Sequence, residues 1–386
     1  MALLIKGGLV KTITNGDIPG GEVLVEDGRI KAVGTALAVP EGTEVFDASG
    51  CIVTPGLMDA HTHIGLHNEA VRWEGIDINE VSSPVTPEMR AIDGIYPQDE
   101  AFRIALEGGV TAAVTGPGSA NVIGGTAVAI HMAGNTVEEM ILRDPVGMKI
   151  AFGENPKGCY GQNGRKEPVT RMAVAALLRE NLAKAQRYME EIDAAEKDPE
   201  KTRPFDFKLE AMLPVMRHEI PLKAHAHRAD DILTAVRVAK EFGVELTLDH
   251  VTEGHLIVDA LAEAGRPVLV GPSLGGKSKV ELKEKSFRTP GILHAAGLEV
   301  CIITDAPVIP LNYLALCAGL AIRDGLPEDA AWRAITLNPA RVTGLADRLG
   351  SLEAGKEADI AVFSDDPLKC IQARAVQVFI GGRKML

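Results

Sequence analysis

The two ends of the chain share a pattern of short runs in which apolar and polar residues alternate. The first end reads LLIKGGLVKTI and then GEVLVEDGRIKAVG, and the last end reads GSLEAGKEADIAVFSDD and then AVQVFIGGRKML. Alternation with a period of two, bounded by Gly and Asp-Gly turns, is typical of half-buried β-strands. We therefore predict that residues 1–54 and 346–386 pair into one small β-sandwich domain.

Between these ends, short apolar runs alternate with helical stretches. This rhythm indicates the α/β class, and eight βα units match a closed (β/α)₈ TIM barrel over residues 55–345. An open doubly wound sheet is the alternative, but no GxGxxG follows the first strand, which argues against its dinucleotide-binding version. The predicted barrel strands are 52–63, 110–116, 127–132, 148–153, 221–227, 244–250, 267–271 and 300–305.

The longest connection in this predicted barrel is an insertion at 154–220. Its apolar residues Met172, Ala176, Leu177 and Leu182 recur near helical spacing, which predicts an amphipathic helix over roughly 169–195. A long excursion on a barrel often carries specificity, and we predict a lid-like role. We expect the basic side chains of the insertion either to lie in solvent or to face an anionic substrate. These side chains are Lys157, Arg165, Lys166 and Arg171.

Composition narrows the class of protein further. Hydrophobic residues make up 46% and charged residues 24% of the 386 positions, so the chain is globular with a large core. The net charge of −13 argues against nucleic acid or an anionic membrane as a partner. The apolar runs are too short for a membrane span. Five cysteines without a CxxC pair indicate a reducing, cytoplasmic compartment. We expect a homo-oligomer that acts on a small-molecule substrate.

Metal-competent side chains recur at the predicted strand ends. Strand one ends in His61 and His63, which share a face because they are two residues apart. Strand five ends in His225 and His227, strand six in Asp249-His250, and strand eight in Asp305. Barrel enzymes build their active sites at this end. Imidazoles with carboxylates suit zinc or another divalent transition metal, so we predict a metal centre of one or two ions.

These strand ends resemble the amidohydrolase superfamily, in particular its imidazolonepropionase-like and metal-dependent dipeptidase branches. The motifs are TPGLMDAHTH, HAH, DH, ITD and the late NPAR…G…GSLEAGKEADIAVF. The resemblance covers nearly the whole chain and says least about the insertion. It implies a set of metal ligands, with Asp305 also accepting a proton from the attacking water. The implied ligands are His61, His63, His225, His250 and Asp305.

The ligand supplied by the fourth strand distinguishes a site for one metal ion from a site for two. Members with two ions carry a carboxylated lysine there, and Lys149 lies in the middle of MKIAFG. A buried, unpaired ammonium is costly, and carbamate formation beside cations removes that cost. Other branches use a strand-four glutamate for a single ion, and Glu154 is that alternative. We favour Lys149, because Glu154 follows Gly153, where the strand is expected to end.

One residue departs from the pattern of the resembling family. Deaminases and imidazolonepropionase have a proton-shuttling glutamate three residues after the strand-five histidine, and this chain has Arg228. Arginine stays protonated, so it cannot act as a base, but its fork suits a substrate carboxylate. We predict that Arg228 contacts substrate and that His227, which shares the face of His225, either contacts substrate or supports the metal ligands. Five other histidines match no motif and are expected to be ordinary: His67, His131, His218, His255 and His294.

Together these observations predict a metal-dependent hydrolase that uses metal-activated water. The expected bond is the C–N amide bond of a small substrate with a carboxylate, namely a cyclic amide, an N-acyl amino acid or a dipeptide. A mononuclear deaminase or deacetylase of the same superfamily is the alternative. An alternative outside the enzymes is a metal-free scaffold protein, although relatives of that kind have lost metal ligands that this sequence keeps.

Overall fold

The computed structural model of the protein describes residues 2–162, 167–198, 200 and 202–386. Arg165 and Lys166 of the basic loop lie outside these residues. The strands, β1 to β16, are Ala2–Lys11, Asp17–Glu26, Arg29–Gly34, Glu44–Asp47, Ile52–Pro55, Leu57–Thr62, Val110–Thr115, Ile123–His131, Ile141–Ala151, Leu222–Ala226, Leu246–His250, Val268–Val270, Val300–Ile302, Ile360–Phe363, Ala375–Ile380 and Arg383–Lys384. The α-helices, α1 to α11, are Glu100–Glu107, Val137–Met140, Glu154–Lys157, Arg171–Glu196, Phe207–Met216, Ala229–Phe242, Val258–Ala264, Arg288–Ala295, Leu314–Arg323, Glu328–Ala334 and Leu337–Val342.

The two chain ends form one sheet, as the sequence predicts. Its strand order is β16-β15-β14-β5-β1-β2-β3, with β4 paired to β1. The ends meet where β14 runs antiparallel to β5, with Ile360 opposite Pro55. Alternate residues of these strands, among them Ile5, Val53 and Phe379, pack into a common apolar core. Hydrophobic burial therefore joins two segments that are remote in sequence.

The middle of the chain forms the predicted barrel. Its eight strands follow in order from β6 to β13, and each pairs with the next. The barrel nearly closes between its first and last strands, and just beyond their ends the backbone N–H of His63 donates to the carbonyl of Ala306 at 2.7 Å. The helices α6, α8 and α9 pack on the outside of the strands. The fold is a TIM barrel beside a β-sandwich.

The third barrel strand differs from the prediction. The sequence predicts eight parallel βα units, but β8 runs antiparallel to both β7 and β9. A parallel neighbour needs a crossover of a dozen or more residues, whereas an antiparallel neighbour can follow a short connection. Only residues 116–122 separate β7 from β8, so the chain turns straight back. The prediction of 127–132 as a parallel strand was wrong in direction and too short.

The predicted first strand, 52–63, is divided between the two sheets. It breaks at Gly56, after which β6 enters the barrel. A side chain at Gly56 would collide with Thr111, so only glycine allows this close approach of β6 and β7. The division matters for the site, because β6 then carries His61 and His63 at its carboxyl end.

The long helix of the insertion, α4, confirms the predicted helix, but its buried face includes only Leu177 and Leu182 of the four predicted apolar residues. Met172 and Ala176 are exposed, whereas Val174, Leu178 and Leu182 pack against the barrel core. Most of the insertion therefore belongs to the outer helical layer. The lid-like role stays a prediction, and it concerns mainly the segment before α4. None of the described helices is long and apolar enough to cross a membrane.

Candidate metal centre

The carboxyl ends of the barrel strands bring together the five residues that the resemblance implied. His61, His63, His225 and His250 are each at most 7% exposed, and Asp305 follows β13. One carboxylate oxygen of Asp305, Oδ1, lies 3.3 Å from Nε2 of both His61 and His63. The ring of His250 lies 4.3 Å from that of His225 and 4.9 Å from that of His61. Residues remote in sequence thus surround one small volume.

Backbone carbonyls fix the orientation of two of these rings. His63 Nδ1 lies 2.7 Å from the carbonyl oxygen of Gly116, and His250 Nδ1 lies 2.8 Å from that of Gly271. A carbonyl only accepts, so Nδ1 must carry the hydrogen and donate it. Nε2 of each ring is then the unprotonated atom, and it faces the centre. Metal-binding histidines are commonly held by such partners.

His61 is held instead by a buried charge pair. Its Nδ1 lies 2.7 Å from Asp249 Oδ2, and the Lys223 ammonium lies 3.3 Å from the same oxygen. Burial raises the pKa of Asp249, but Lys223 and His61 outweigh it and hold that pKa well below its usual value. Asp249 is therefore an anion that orients His61. The sequence showed Asp249 beside His250 but gave no sign of the pairing with Lys223, which follows from the neighbouring register of β10 and β11.

A second buried carboxylate links the first and last barrel strands. Asp59 accepts hydrogen bonds from the backbone N–H of His61 at 2.9 Å and from the backbone N–H and hydroxyl of Thr304 at 2.8 and 2.6 Å. Burial raises the pKa of Asp59 to about 6, although the bonds from Thr304 and His61 oppose this. Asp59 thereby sets the spacing between His61 and Asp305, the residue after Thr304. The sequence did contain a signal for Asp59. Side chains alternate along β6, so Asp59, two residues before His61, lies on the same face as His61.

The donor atoms at the centre suit a divalent ion. Burial lowers the pKa of His225 well below its usual value and that of His250 to about 3, so both rings are neutral, the form that binds metal. Burial raises the pKa of Asp305, but His250, His61 and His63 hold it well below its usual value, so it is a carboxylate. His250 Nε2 and Asp305 Oδ1 are buried without a hydrogen-bond partner among the described residues. Buried polar atoms are rarely left so, and a cation between them would satisfy both.

Two of these residues adopt unusual backbone conformations. His250 has φ of 78° and Asp305 has φ of 56°, both in the left-handed region that side chains disfavour. Such conformations cost on the order of 1–3 kcal/mol and cluster at functional sites. Here each occurs where the strand ends and its side chain turns toward the centre.

Lys149 lies inside this centre, whereas Glu154 lies beside it. Lys149 is 2% exposed, and its Nζ is 3.2 Å from His61 Nε2. Burial lowers the pKa of Lys149 to about 8, against the pull of Asp249 and Asp305. Glu154 begins α3, and its backbone N–H donates to the Glu281 carboxylate at the edge of a neighbouring cleft. Between the two candidates, only Lys149 has its side chain among the histidines.

The two residues assigned to substrate lie in different settings. His227 stacks on His250 with ring centres 4.7 Å apart, and its Nδ1 lies 2.8 Å from the Thr252 hydroxyl. Its ligand atom lies within 4.8 Å of those of His225 and His250, so it can share a metal with them. Arg228 is at the rim, and its fork already engages the Asp230 carboxylate at 2.9 and 3.0 Å. Their roles stay predictions.

A cationic side chain that the sequence analysis did not single out lies closer to the histidines. Lys279 follows β12, and its Nζ donates to the Asn155 side-chain oxygen at 2.9 Å. Asn155 Nδ2 in turn lies 3.3 Å from His225 Nε2 and 2.5 Å from the Ser119 hydroxyl. The only sequence signal was the position of Lys279 in the Gly-rich loop after the seventh barrel strand.

Comparison with known proteins identifies the family. The model of the amidohydrolase family matches residues 52–385, so the chain belongs to this family. The solved structure of an amidohydrolase from Thermotoga maritima MSB8 is similar to it over 100% of this chain and 99% of that one, with 41% identity and a TM-score of 0.96. The protein is therefore an enzyme of the amidohydrolase family.

Two curated relatives show how far this similarity extends. The amidohydrolase tasK of Hapsidospora irregularis is 32% identical over 94% of this chain, but the matched part is 39% of that protein's length. The imidazolonepropionase of Maricaulis maris is 29% identical over 90% of this chain and 88% of its own length. The chain thus spans less than half of the first relative and most of the second.

Proposed function

We propose that this protein is a metal-dependent hydrolase that cleaves the C–N amide bond of a small substrate bearing a carboxylate. The single observation that carries the proposal is the convergence of four buried imidazoles, Lys149 and ionised Asp305 at one end of the barrel. The donor set of nitrogen and oxygen suits zinc. The substrate is a cyclic amide, an N-acyl amino acid or a dipeptide.

Some of these residues are proposed as metal ligands, and Asp305 is proposed as the group that transfers protons. When bound, the ion lowers the pKa of water toward neutrality and polarises the carbonyl that is attacked. His61, His63, His225 and His250 would hold one or two such ions, and Lys149, as a carbamate, would supply two further oxygen ligands. Asp305, an ionised acceptor, takes the proton of the attacking water and returns it to the leaving nitrogen.

The lowered pKa of Lys149 supports its carboxylation. Carbamate forms when a neutral amine attacks carbon dioxide, and an ordinary lysine of pKa 10.5 is neutral for about 0.1% of the time at pH 7.5. With the pKa lowered to about 8, a far larger share of the side chain is neutral at the same pH. The carbamate then replaces a positive charge, which is costly in a buried site, with two metal-binding oxygens.

Two cations can bind the carboxylate of the substrate. Arg228 borders a cleft of about 330 Å³ together with Lys157 and Arg171, although Asp230 and Asp231 engage the two arginines. Lys279 lies one side chain, Asn155, away from His225. We place the larger share of carboxylate binding on Lys279, because it is closer to the centre. Among the described residues its one ion-pair partner within 4 Å is Glu281, at 3.8 Å.

The test is a library of N-acyl amino acids, dipeptides and cyclic amides, each paired with its methyl ester at the free carboxylate. We expect hydrolysis of the acids and weak activity on the esters. Lys279→Met should raise KM for the acid about 10- to 100-fold, the loss of a charge-assisted hydrogen bond. Arg228→Met is the matched variant and should have a smaller effect. Equal kinetics on acids and esters in the unmodified enzyme would remove the carboxylate from the proposal.

A further inference from the structure

A second group of metal-competent side chains lies at the opposite end of the barrel, where it meets the β-sandwich. It consists of His131 at the end of β8 and of Glu357 and Asp359 just before β14. His131 pairs with Ala112 near the start of β7, whereas the end of β7 lies beside the catalytic histidines. The antiparallel direction of β8 is what carries His131 to this junction. The sequence gave His131 no role.

The three ligand atoms are spaced for a single ion. His131 Nε2 lies 3.0 Å from Asp359 Oδ2 and 3.9 Å from Glu357 Oε2, and all three atoms lie within 4.8 Å of one another. Metal bonds of 2.0–2.2 Å require ligand atoms roughly 3–3.5 Å apart. Small side-chain rotations are therefore enough to bring the set onto one cation.

The atoms that would face the ion lack other partners. Asp359 is 5% exposed, and its Oδ2, like His131 Nε2, is buried without a hydrogen-bond partner in the described part of the chain. The opposite oxygens are held: the backbone N–H of Gly381 donates to Asp359 Oδ1 at 2.9 Å, and Arg348 donates to Glu357 Oε1 at 2.6 Å. Each carboxylate is thus oriented by one oxygen and offers the other, an arrangement typical of metal ligands.

We propose that His131, Glu357 and Asp359 form a structural site for a divalent first-row transition metal of the zinc class, separate from the catalytic centre. One imidazole and two carboxylates favour such an ion over calcium or magnesium, which prefer oxygen ligands alone. The two carboxylates carry two negative charges and the nearby Arg348 carries one positive charge. The group therefore has one net negative charge, which favours a cation. Because the ligands come from the barrel and the sandwich, the ion joins the two parts of the fold. This inference does not rest on the proposed function.

The test is the zinc content of the full-length protein after reconstitution with Zn²⁺ and removal of free ion. His131→Ala should contain about one zinc ion fewer per chain than the unmodified protein. Glu357→Gln should show a lower occupancy of the same ion. His294→Ala is the matched control, a half-buried histidine outside the group, and should keep the full content. Activity should persist in all three variants, because none alters the catalytic centre.

Equal zinc contents in the unmodified protein, His131→Ala and Glu357→Gln would overturn the proposal and leave only an ion pair between His131 and Asp359. If His131→Ala does not fold, diffraction from crystals of the unmodified protein at the zinc absorption edge decides instead. The proposal predicts an anomalous peak within bonding distance of His131 Nε2 and Asp359 Oδ2. Absence of a peak there, in crystals that show one at the catalytic centre, would overturn it.

Discussion

Replacement of Lys149 by alanine is expected to lower kcat/KM by at least about 100-fold and to remove at least one metal ion per chain. The reason is the position of its Nζ, 3.2 Å from His61 Nε2, on a side chain that is only 2% exposed. Bicarbonate together with a short carboxylate should restore part of the activity, since a small acid can occupy the space of the carbamate. The measurements are steady-state kinetics and metal content before and after this addition.

Glu154→Gln is the matched variant for this experiment, because Glu154 is the other strand-four candidate. It should keep the metal and most of the activity, since its backbone contacts the Glu281 carboxylate and its side chain lies at the neighbouring cleft. The opposite pattern would contradict the assignment: a Lys149→Ala enzyme with its metal and activity intact, and a Glu154→Gln enzyme without them. The enzyme would then hold a single ion through Glu154.

Asp305→Asn is expected to lower kcat by about 10² to 10⁴, the usual contribution of a positioned acid–base group. Asparagine has nearly the shape of aspartate, so the fold should be unchanged. It cannot accept a proton from water, so kcat should fall. Asp324→Asn, at a partly exposed carboxylate paired with Arg323 and remote from the histidines in sequence, is the control for removal of a charge. A variant at Asp305 with near-normal kcat and normal metal content would exclude Asp305 as the proton acceptor.

The sequence predicted the ligand cluster because it depends on local signals. His61, His63, His225 and His250 each stand at the carboxyl end of an apolar run, and strand ends of a parallel barrel meet on one face. Their meeting needs no knowledge of exact register. The pairing of the two chain ends was predictable for the same reason, since both show the period of a half-buried strand.

The direction of β8 was not predictable in this way. A strand buried on both faces is a continuous apolar run whether it is parallel or antiparallel to its neighbours, and the run ending at His131 carries no mark of direction. The shortness of the connection before it was the one usable clue. The same limit hid the grouping of His131 with Glu357 and Asp359.

The sequence also did not predict the charged side chains that support the centre. Lys223 and Asp249 lie on adjacent strands, and their contact depends on the register that brings Lys223 beside Thr247, two residues before Asp249. Likewise, the burial that lowers the pKa of Lys149 is a property of the closed barrel. These contacts support the choice of Lys149 as the proposed ligand, which the sequence favoured over Glu154 only on its position within the strand.

The measurement that tests the central claim most directly is diffraction from crystals of zinc-reconstituted protein, with data collected on both sides of the zinc absorption edge. The account predicts anomalous peaks for two ions at the carboxyl end of the barrel. One should bond His61, His63 and Asp305, the other His225 and His250, and electron density should extend beyond Nζ of Lys149 between them. A zinc-replete crystal with no peak within bonding distance of these histidines would contradict the account and favour a metal-free protein.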